Sequence, residues 1–325
     1  MGKKNYIIIL NKKAGDKMKY YFGVDVGGMS VKGGVVDEDG KVLFKHTCKV
    51  DSDAIYSVDN VVCALKEFTK NKEIIVKKCG IGVPCIFDKS TGVVSYGNNL
   101  DFKGVNLKEH FLKKFDLELE IANDATTAGL GEAKFGAGKD YSNSVLITIG
   151  TGIGCGIILD KKPILSNSSA VGELSHTTIV VNGRKCTCGN RGCLEAYCSM
   201  TALYKDIKRE MLKNRQSILW EYLNVNDIDG RVFFSLIEKD SLARKIYQRF
   251  INYLKICVTN VANLLRPDVI IIGGGVSAQG DVIIKPLNEH LKEHVFAPEY
   301  TAKIPVVSAK NGNDAGIIGS ACLVM

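Results

Sequence analysis

In YYFGVDVGGMSVKGGVVDEDGKVL, residues 20–43, a β-branched run enters a glycine turn and leaves on a second apolar strand. A further turn, Asp-Glu-Asp-Gly, leads into a third. Runs of this kind, punctuated by Gly and Asp, predict strands joined by hairpins. The same order returns in SVLITIGTGIGCGIILDKKPIL, residues 144–165. A strand–glycine turn–strand unit present twice predicts two lobes of similar build facing each other, although glycine hairpins can also recur by chance.

Outward from these two copies, strands and helices alternate. VDNVVCALKEFTK (58–70) and VNLKEHFLKKF (105–115) carry apolar residues at helical spacing, and KKCGIGVPC (77–85) is a strand ending in Gly-Val-Pro. LELEIANDATTAGLGEAKFG (117–136) runs from a strand into a small-residue helix, with Asn123 and Asp124 at the junction. Residues 194–265 read as mostly helical. The clearest helix is SLARKIYQRFINYLKICVTNVANLL (241–265), where Ile246, Phe250, Leu254, Val258, Val261 and Leu265 share a face and Arg266-Pro267 ends it. DVIIIGGGVSAQG (268–280) is a buried strand entering a triple glycine. The alternation predicts an α/β protein. Residues 18–124 form the smaller lobe, completed by a C-terminal helix at about 313–325, and 125–312 form the larger. Residues 1–17 read as an extension or edge strand, with Met18 an equally good start.

Composition narrows the function class. The 325 residues hold 43 Lys+Arg against 35 Asp+Glu, a formal net charge of +8 spread along the chain. Without a dense basic run flanked by aromatics, nucleic acid is not predicted; a mildly basic chain suits phosphorylated anions. No apolar window approaches a membrane span, and the early run YIIIL is too short for a signal peptide. Eleven scattered cysteines, an odd number, predict free thiols in a reducing cytoplasm.

Only three cysteines cluster, in GELSHTTIVVNGRKCTCGNRGCLEAY (172–197). His176, Cys186, Cys188 and Cys193 offer one imidazole and three thiolates, a donor set for tetrahedral Zn²⁺. Four protein ligands leave no open position, so the predicted zinc is structural. Glu173 and Glu195 flank the knot, which predicts that it holds two carboxylates around a polar ligand.

DVGGMS (25–30) and GTGIGCG (150–156) expose backbone N–H groups at strand turns, a nest for phosphate oxygens or else plain hairpins. Neither is a P-loop or a dinucleotide fingerprint. With the triple glycine 273–275 and Asp25 they read as an ATP site, in which Asp25 holds Mg²⁺ through water. Asp124 stands at a strand end, where α/β proteins place ligands, but an aspartate there is also a common helix N-cap.

Together these motifs resemble the ROK family of bacterial sugar kinases and sugar-responsive repressors, over nearly the whole chain from about residue 20. The most specific piece is G-E-x-x-H followed by C-x-C-G-x-x-G-C-x-E, Gly172 to Glu195; ANDA (122–125), GTGIG (150–154) and GGG (273–275) occur in family order. The resemblance implies the actin-like (ribonuclease H-like) ATPase fold, two lobes with the active site in the cleft. It implies an ATP-dependent hexose kinase, most like a glucokinase, with Asp124 as general base. Asn99, Asn123, Asp124, Glu173, His176 and Glu195 would bind the sugar. Asp25, Gly27, Gly28, Met29, Ser30, Gly150, Thr151, Gly152, Gly154, Gly273, Gly274 and Gly275 would bind ATP. Family members are commonly dimers or tetramers.

Three departures bear on that expectation. Met29 stands where the family's first turn has threonine, Cys85 follows Gly-Val-Pro in place of glycine, and Ser175 replaces a second glycine in the G-E-x-G-H pattern. The alternatives are a kinase for another hexose (fructose, mannose, N-acetylmannosamine or N-acetylglucosamine) or a catalytically weakened sugar-binding regulator. DNA-binding members carry a winged helix-turn-helix of some 60 residues before the first turn, where about 20 stand here.

Overall fold

Residues 18–97, 100–102 and 104–325 are described in a computed structural model of the chain. The leader 1–17 and Asn99 lie outside the described residues.

The first lobe begins with β1 (Tyr20–Val26), β2 (Ser30–Asp37), β3 (Val42–Lys49) and α1 (Ala54–Asn71). It continues with β4 (Lys78–Val83), the hairpin β5 (Cys85–Phe87) and β6 (Val94–Gly97), α2 (Leu107–Phe115), β7 (Glu118–Asn123) and α3 (Asp124–Phe135). Its sheet has the order β3-β2-β1-β4-β7: β1, β2 and β3 are antiparallel neighbours, and β4 and β7 run parallel to β1. The tight β2–β3 turn is held by Asp37, whose Oδ1 accepts from the N–H groups of Asp39 (3.0 Å) and Lys41 (2.9 Å).

The second lobe carries β8 (Ser144–Ile149), β9 (Ile153–Leu159), β10 (Lys162–Pro163), α4 (Glu195–Cys198), α5 (Met200–Lys213), α6 (Leu219–Tyr222) and α7 (Gly230–Ser235). Then come α8 (Ser241–Leu265), β11 (Val269–Gly273), α9 (Asp281–His294) and β12 (Val306–Ser308), and the chain ends in α10 (Ala315–Cys322), which returns to pack on the first sheet. Its sheet order is β10-β9-β8-β11-β12, with β9 antiparallel to both β8 and β10, and β11 and β12 parallel to β8. The two sheets therefore share one topology, and the repeated sequence unit supplies the three antiparallel strands of each.

Two helices lie between the sheets. On the first, α10 approaches so closely that a Cβ at Gly80 would stand 1.7 Å from the Ser320 carbonyl oxygen. A Cβ at Gly319 would stand 1.6 Å from the Thr127 carbonyl, so α10 and α3 also meet backbone to backbone. Neither contact survives a side chain at those positions. Glu132, fully buried on α3, accepts from the N–H groups of Ala137 (2.8 Å), Lys310 (3.1 Å) and Asn311 (2.7 Å) and so binds the end of α3 to the segment that leads into α10. Losing that carboxylate would leave three partly buried donors unmatched, at up to about 1–3 kcal/mol each.

Outer helices complete each core. α1 and α2 cover the first sheet, and the larger core of the second lobe is built on α8. Asp240 caps α8 by accepting from Ala243 N–H at 2.7 Å, and Arg266 ends it with a left-handed φ of 45° just before Pro267. Ile246, Phe250, Leu254, Val258 and Val261 are each at most 3% exposed, while Leu265 is only partly buried. Burial of each such side chain is worth about 1.5–3 kcal/mol; Phe250→Ala would cost about 3–5 kcal/mol.

Candidate active site

The polar residues of interest stand at or just past the C-terminal ends of parallel strands. Asp25 is near the end of β1, Asn123 ends β7 with Asp124 just after it, the turn 150–152 follows β8, and Gly273 ends β11 with Gly274 and Gly275 just after it. The strand pairing adds Asp25↔Gly82 and Gly82↔Ala122, which brings the ends of β1 and β7 to one edge of the first sheet.

At the head of α3 the cap is Asn123, whose Oδ1 accepts from Ala125 N–H (2.9 Å) and Thr126 N–H (3.3 Å). Asp124 is the first residue of the helix, one position inside the Asn123 cap. Burial, then the nearby carboxylate of Asp25 and, more weakly, that of Glu173, push Asp124 up to about 6, against the helix-start N–H groups that pull it down. Asp25 is raised as well, by burial, with Lys32 opposing. Its carboxylate rests against the start of α10, where a Cβ on Gly316 would stand 2.4 Å from its Cγ. Lys32 Nζ lies 3.8 Å from Asp25 Oδ2.

The first glycine turn is closed by Gly27 N–H donating to the Ser30 carbonyl at 2.9 Å, and Met29 projects outward, 83% exposed. A Cβ at Gly28, Gly150 or Gly275 would meet no atom within 4 Å, so all three turns border open space. Gly274, at φ 74°, lies against Ile149 and joins the triple glycine to the end of β8. Thr151 accepts at its carbonyl from Thr201 Oγ1 (2.7 Å), and Gly150 from Met200 N–H (2.9 Å), so the head of α5 steadies this turn. A Cβ at Gly154 would lie 2.6 Å from Ala125 Cβ, which sets the turn's exit beside Asp124.

The cysteine knot adjoins the same turn. The ligand atoms of His176, Cys186, Cys188 and Cys193 all lie within 4.8 Å of one another. Cys188 and Cys193 sulfurs are 3.7 Å apart, as are Cys186 Sγ and His176 Nδ1. A tetrahedron with Zn–S bonds of about 2.3 Å has edges of about 3.8 Å, so the four donors fit one zinc ion. With Nδ1 on the sulfur side, the ring's Nε2 faces Glu173, 3.9 Å from Oε2. Glu195 Oε2 accepts from Ile153 N–H (3.1 Å) and Oε1 from Thr187 Oγ1 (3.3 Å), so this carboxylate ties the knot to the turn after β8. Gly172, at φ 85°, presses on the Cys155 carbonyl and fixes where Glu173 begins.

Asp25, Asp124 and Glu173 thus form one electrostatic group, with His176 at Glu173 and with Glu195 on the neighbouring turn. Sequence reading passed over Lys32, Gly316 and Thr187. Lys32 was open to it: a hairpin pairing Val26 with Val31 also pairs Asp25 with Lys32. Gly316 carried no local signal, because its partner lies at the far end of the chain.

Residues 21–325 match the sequence model of the ROK family. The chain is 31% identical over 307 residues to a glucokinase of Thermotoga maritima, across 93% of this chain and 96% of that one. It is 28% identical over 328 aligned residues to a xylose repressor of Bacillus spizizenii, across 100% of this chain and 80% of the repressor. A crystal structure of a ROK family glucokinase from Streptomyces griseus, in complex with glucose and AMPPNP, has a TM-score of 0.79 at 29% identity. It covers 94% of this chain and 99% of its own. The common architecture is the two-lobe sugar-kinase fold. Among the described residues no helix is long and apolar enough to cross a membrane.

Proposed function

Because the chain belongs to the ROK family, we propose that it is an ATP-dependent hexose kinase that phosphorylates the 6-hydroxyl of glucose. The observation that carries this reading is Asp124: buried beside the Asn123 cap and raised to about 6, it is ionised at neutral pH yet basic enough to take a proton. As the sugar hydroxyl attacks the γ-phosphorus, Asp124 accepts the hydroxyl proton, the bridge to the β-phosphate breaks, and ADP leaves with that bond's electron pair. General-base help is worth about 10²–10⁴ in rate, and positioning supplies much of the rest.

Sugar hydroxyls would be bound by Asn99, Asn123, Glu173, His176 and Glu195. The turns at 27–30, 150–154 and 273–275 would present N–H groups to the nucleotide. Asp25 would hold the Mg²⁺ of Mg-ATP, whose chemistry there is to neutralise phosphate charge. His176, Cys186, Cys188 and Cys193 would hold a structural zinc, which contributes folding energy and orients the imidazole toward Glu173.

A second reading, a sugar-binding regulator without turnover, is favoured by two observations. Met29 brings no hydroxyl to the first phosphate turn, and repressors are among the relatives. Product analysis separates the two: a sugar 6-phosphate and ADP in equal amounts support the kinase, and sugar binding with neither product supports the regulator.

A further inference from the structure

The hairpin of β5 and β6 belongs to the first lobe, where Phe87 and Val94 share a core with Val58 of α1 and Phe111 of α2. It starts just past Val83, the cross-strand partner of Asn123, and a Cβ on Gly82 would stand 3.3 Å from Asp124 Cα. The segment 164–171 comes from the second lobe: it leaves β10 and leads to Gly172 and Glu173. The two meet. Lys89 N–H donates to the Asn167 carbonyl at 3.1 Å. Beside it, Ser169 Oγ accepts from Phe87 N–H at 3.0 Å and donates to the Cys85 carbonyl at a longer 3.4 Å.

A serine hydroxyl on a loop is usually spent on its own turn. Three observations set this one apart. It takes up both a donor and an acceptor of the other lobe's backbone, so it fixes the distance from loop to strand. Ser169 holds a left-handed φ of 54°, a region that glycine enters freely and serine only at a cost. Glycine would remove that cost and the hydroxyl with it. Finally, only Ala170, Val171 and Gly172 separate Ser169 from Glu173. Gly172 is pressed on the Cys155 carbonyl of β9, so the approach to Glu173 is pinned on the second lobe at one end and on the first at the other.

We propose that Ser169 is a positioning residue for the sugar: its hydroxyl clasps β5 across the cleft and sets the separation between Asp124 on one lobe and Glu173 on the other. The proposal rests on the reading of Asp124 and Glu173 as sugar ligands. Ser169 acts through them and touches neither sugar nor nucleotide.

The test is calorimetric titration with glucose and, separately, with AMPPNP, alongside melting temperatures and steady-state turnover, for wild type, Ser169→Gly and Ser169→Ala. The glycine variant loses the hydroxyl but suits the backbone, so it should melt within a few degrees of wild type. Glucose affinity should fall about tenfold in both variants, with AMPPNP affinity kept. In turnover the KM for glucose should rise and that for ATP should hold. Agreement between the two variants assigns the loss to the hydroxyl, since alanine adds no backbone freedom. Unchanged glucose affinity in the glycine variant, or an equal loss for glucose and AMPPNP, would overturn the proposal. A wild type that binds glucose and releases no ADP would overturn the kinase reading and leave Ser169 to be judged on glucose affinity alone. A wild type that binds no hexose would overturn the sugar site and this proposal with it.

Discussion

Asn123 and Asp124 are adjacent at the head of α3 and divide the tasks of a helix start between them. The amide oxygen of Asn123 receives the first N–H groups, and the carboxyl of Asp124 is left beside Asp25 with its affinity for protons raised.

That division has a pH signature. The rate should fall about tenfold per unit as pH drops below about 6, because Asp124 must be ionised to act as base. Stability moves the other way. Folding raises Asp124 above its ordinary 3.8, so the native state is penalised for its charge. The penalty is absent below 3.8, grows as pH rises toward about 6, and is complete above it. Asp124→Asn should therefore be as stable as wild type at pH 4 and more stable at pH 8, by something on the order of 1–3 kcal/mol. Urea unfolding at the two pH values decides it; a variant less stable at pH 8 would contradict the raised carboxyl.

Zinc removal is the second handle. Protein purified without chelator should hold one zinc per chain by elemental analysis. Cys193→Ser, at a fully buried ligand, should lose the metal and several degrees of melting temperature. Sugar affinity should fall with it, because His176 would lose its anchor and Thr187 its hold on Glu195. Metal-free protein with full sugar affinity would contradict the brace.

Gly316 offers a test of the Asp25 seat. A methyl there would stand 2.4 Å from Asp25 Cγ, so Gly316→Ala must push the carboxylate away. The Mg²⁺ concentration needed for half-maximal rate should rise about tenfold while sugar affinity holds. An unchanged Mg²⁺ requirement would remove Asp25 from that role.

Local pattern carried much of this reading. The hairpins, the apolar face of α8 and the three-cysteine cluster each depend on residues close in sequence, so spacing alone exposed them. Contacts between distant segments did not show. Nothing near Gly316 marks it as the neighbour of Asp25, and nothing near Glu132 reveals that it binds Lys310 and Asn311. Choosing between Asn123 and Asp124 as the cap needed the backbone geometry, since either residue type suits that position. Lys32 lay between these cases, readable once strand register was followed.

The central claim is that this cleft phosphorylates a hexose through Asp124. The most direct measurement is ADP release from Mg-ATP by purified protein across a hexose panel, with Asp124→Asn as the control. The account predicts glucose-dependent turnover that falls at least 10²-fold in the variant, with sugar affinity kept. Silence of the wild type on every sugar it binds, or a variant as active as wild type, would contradict it.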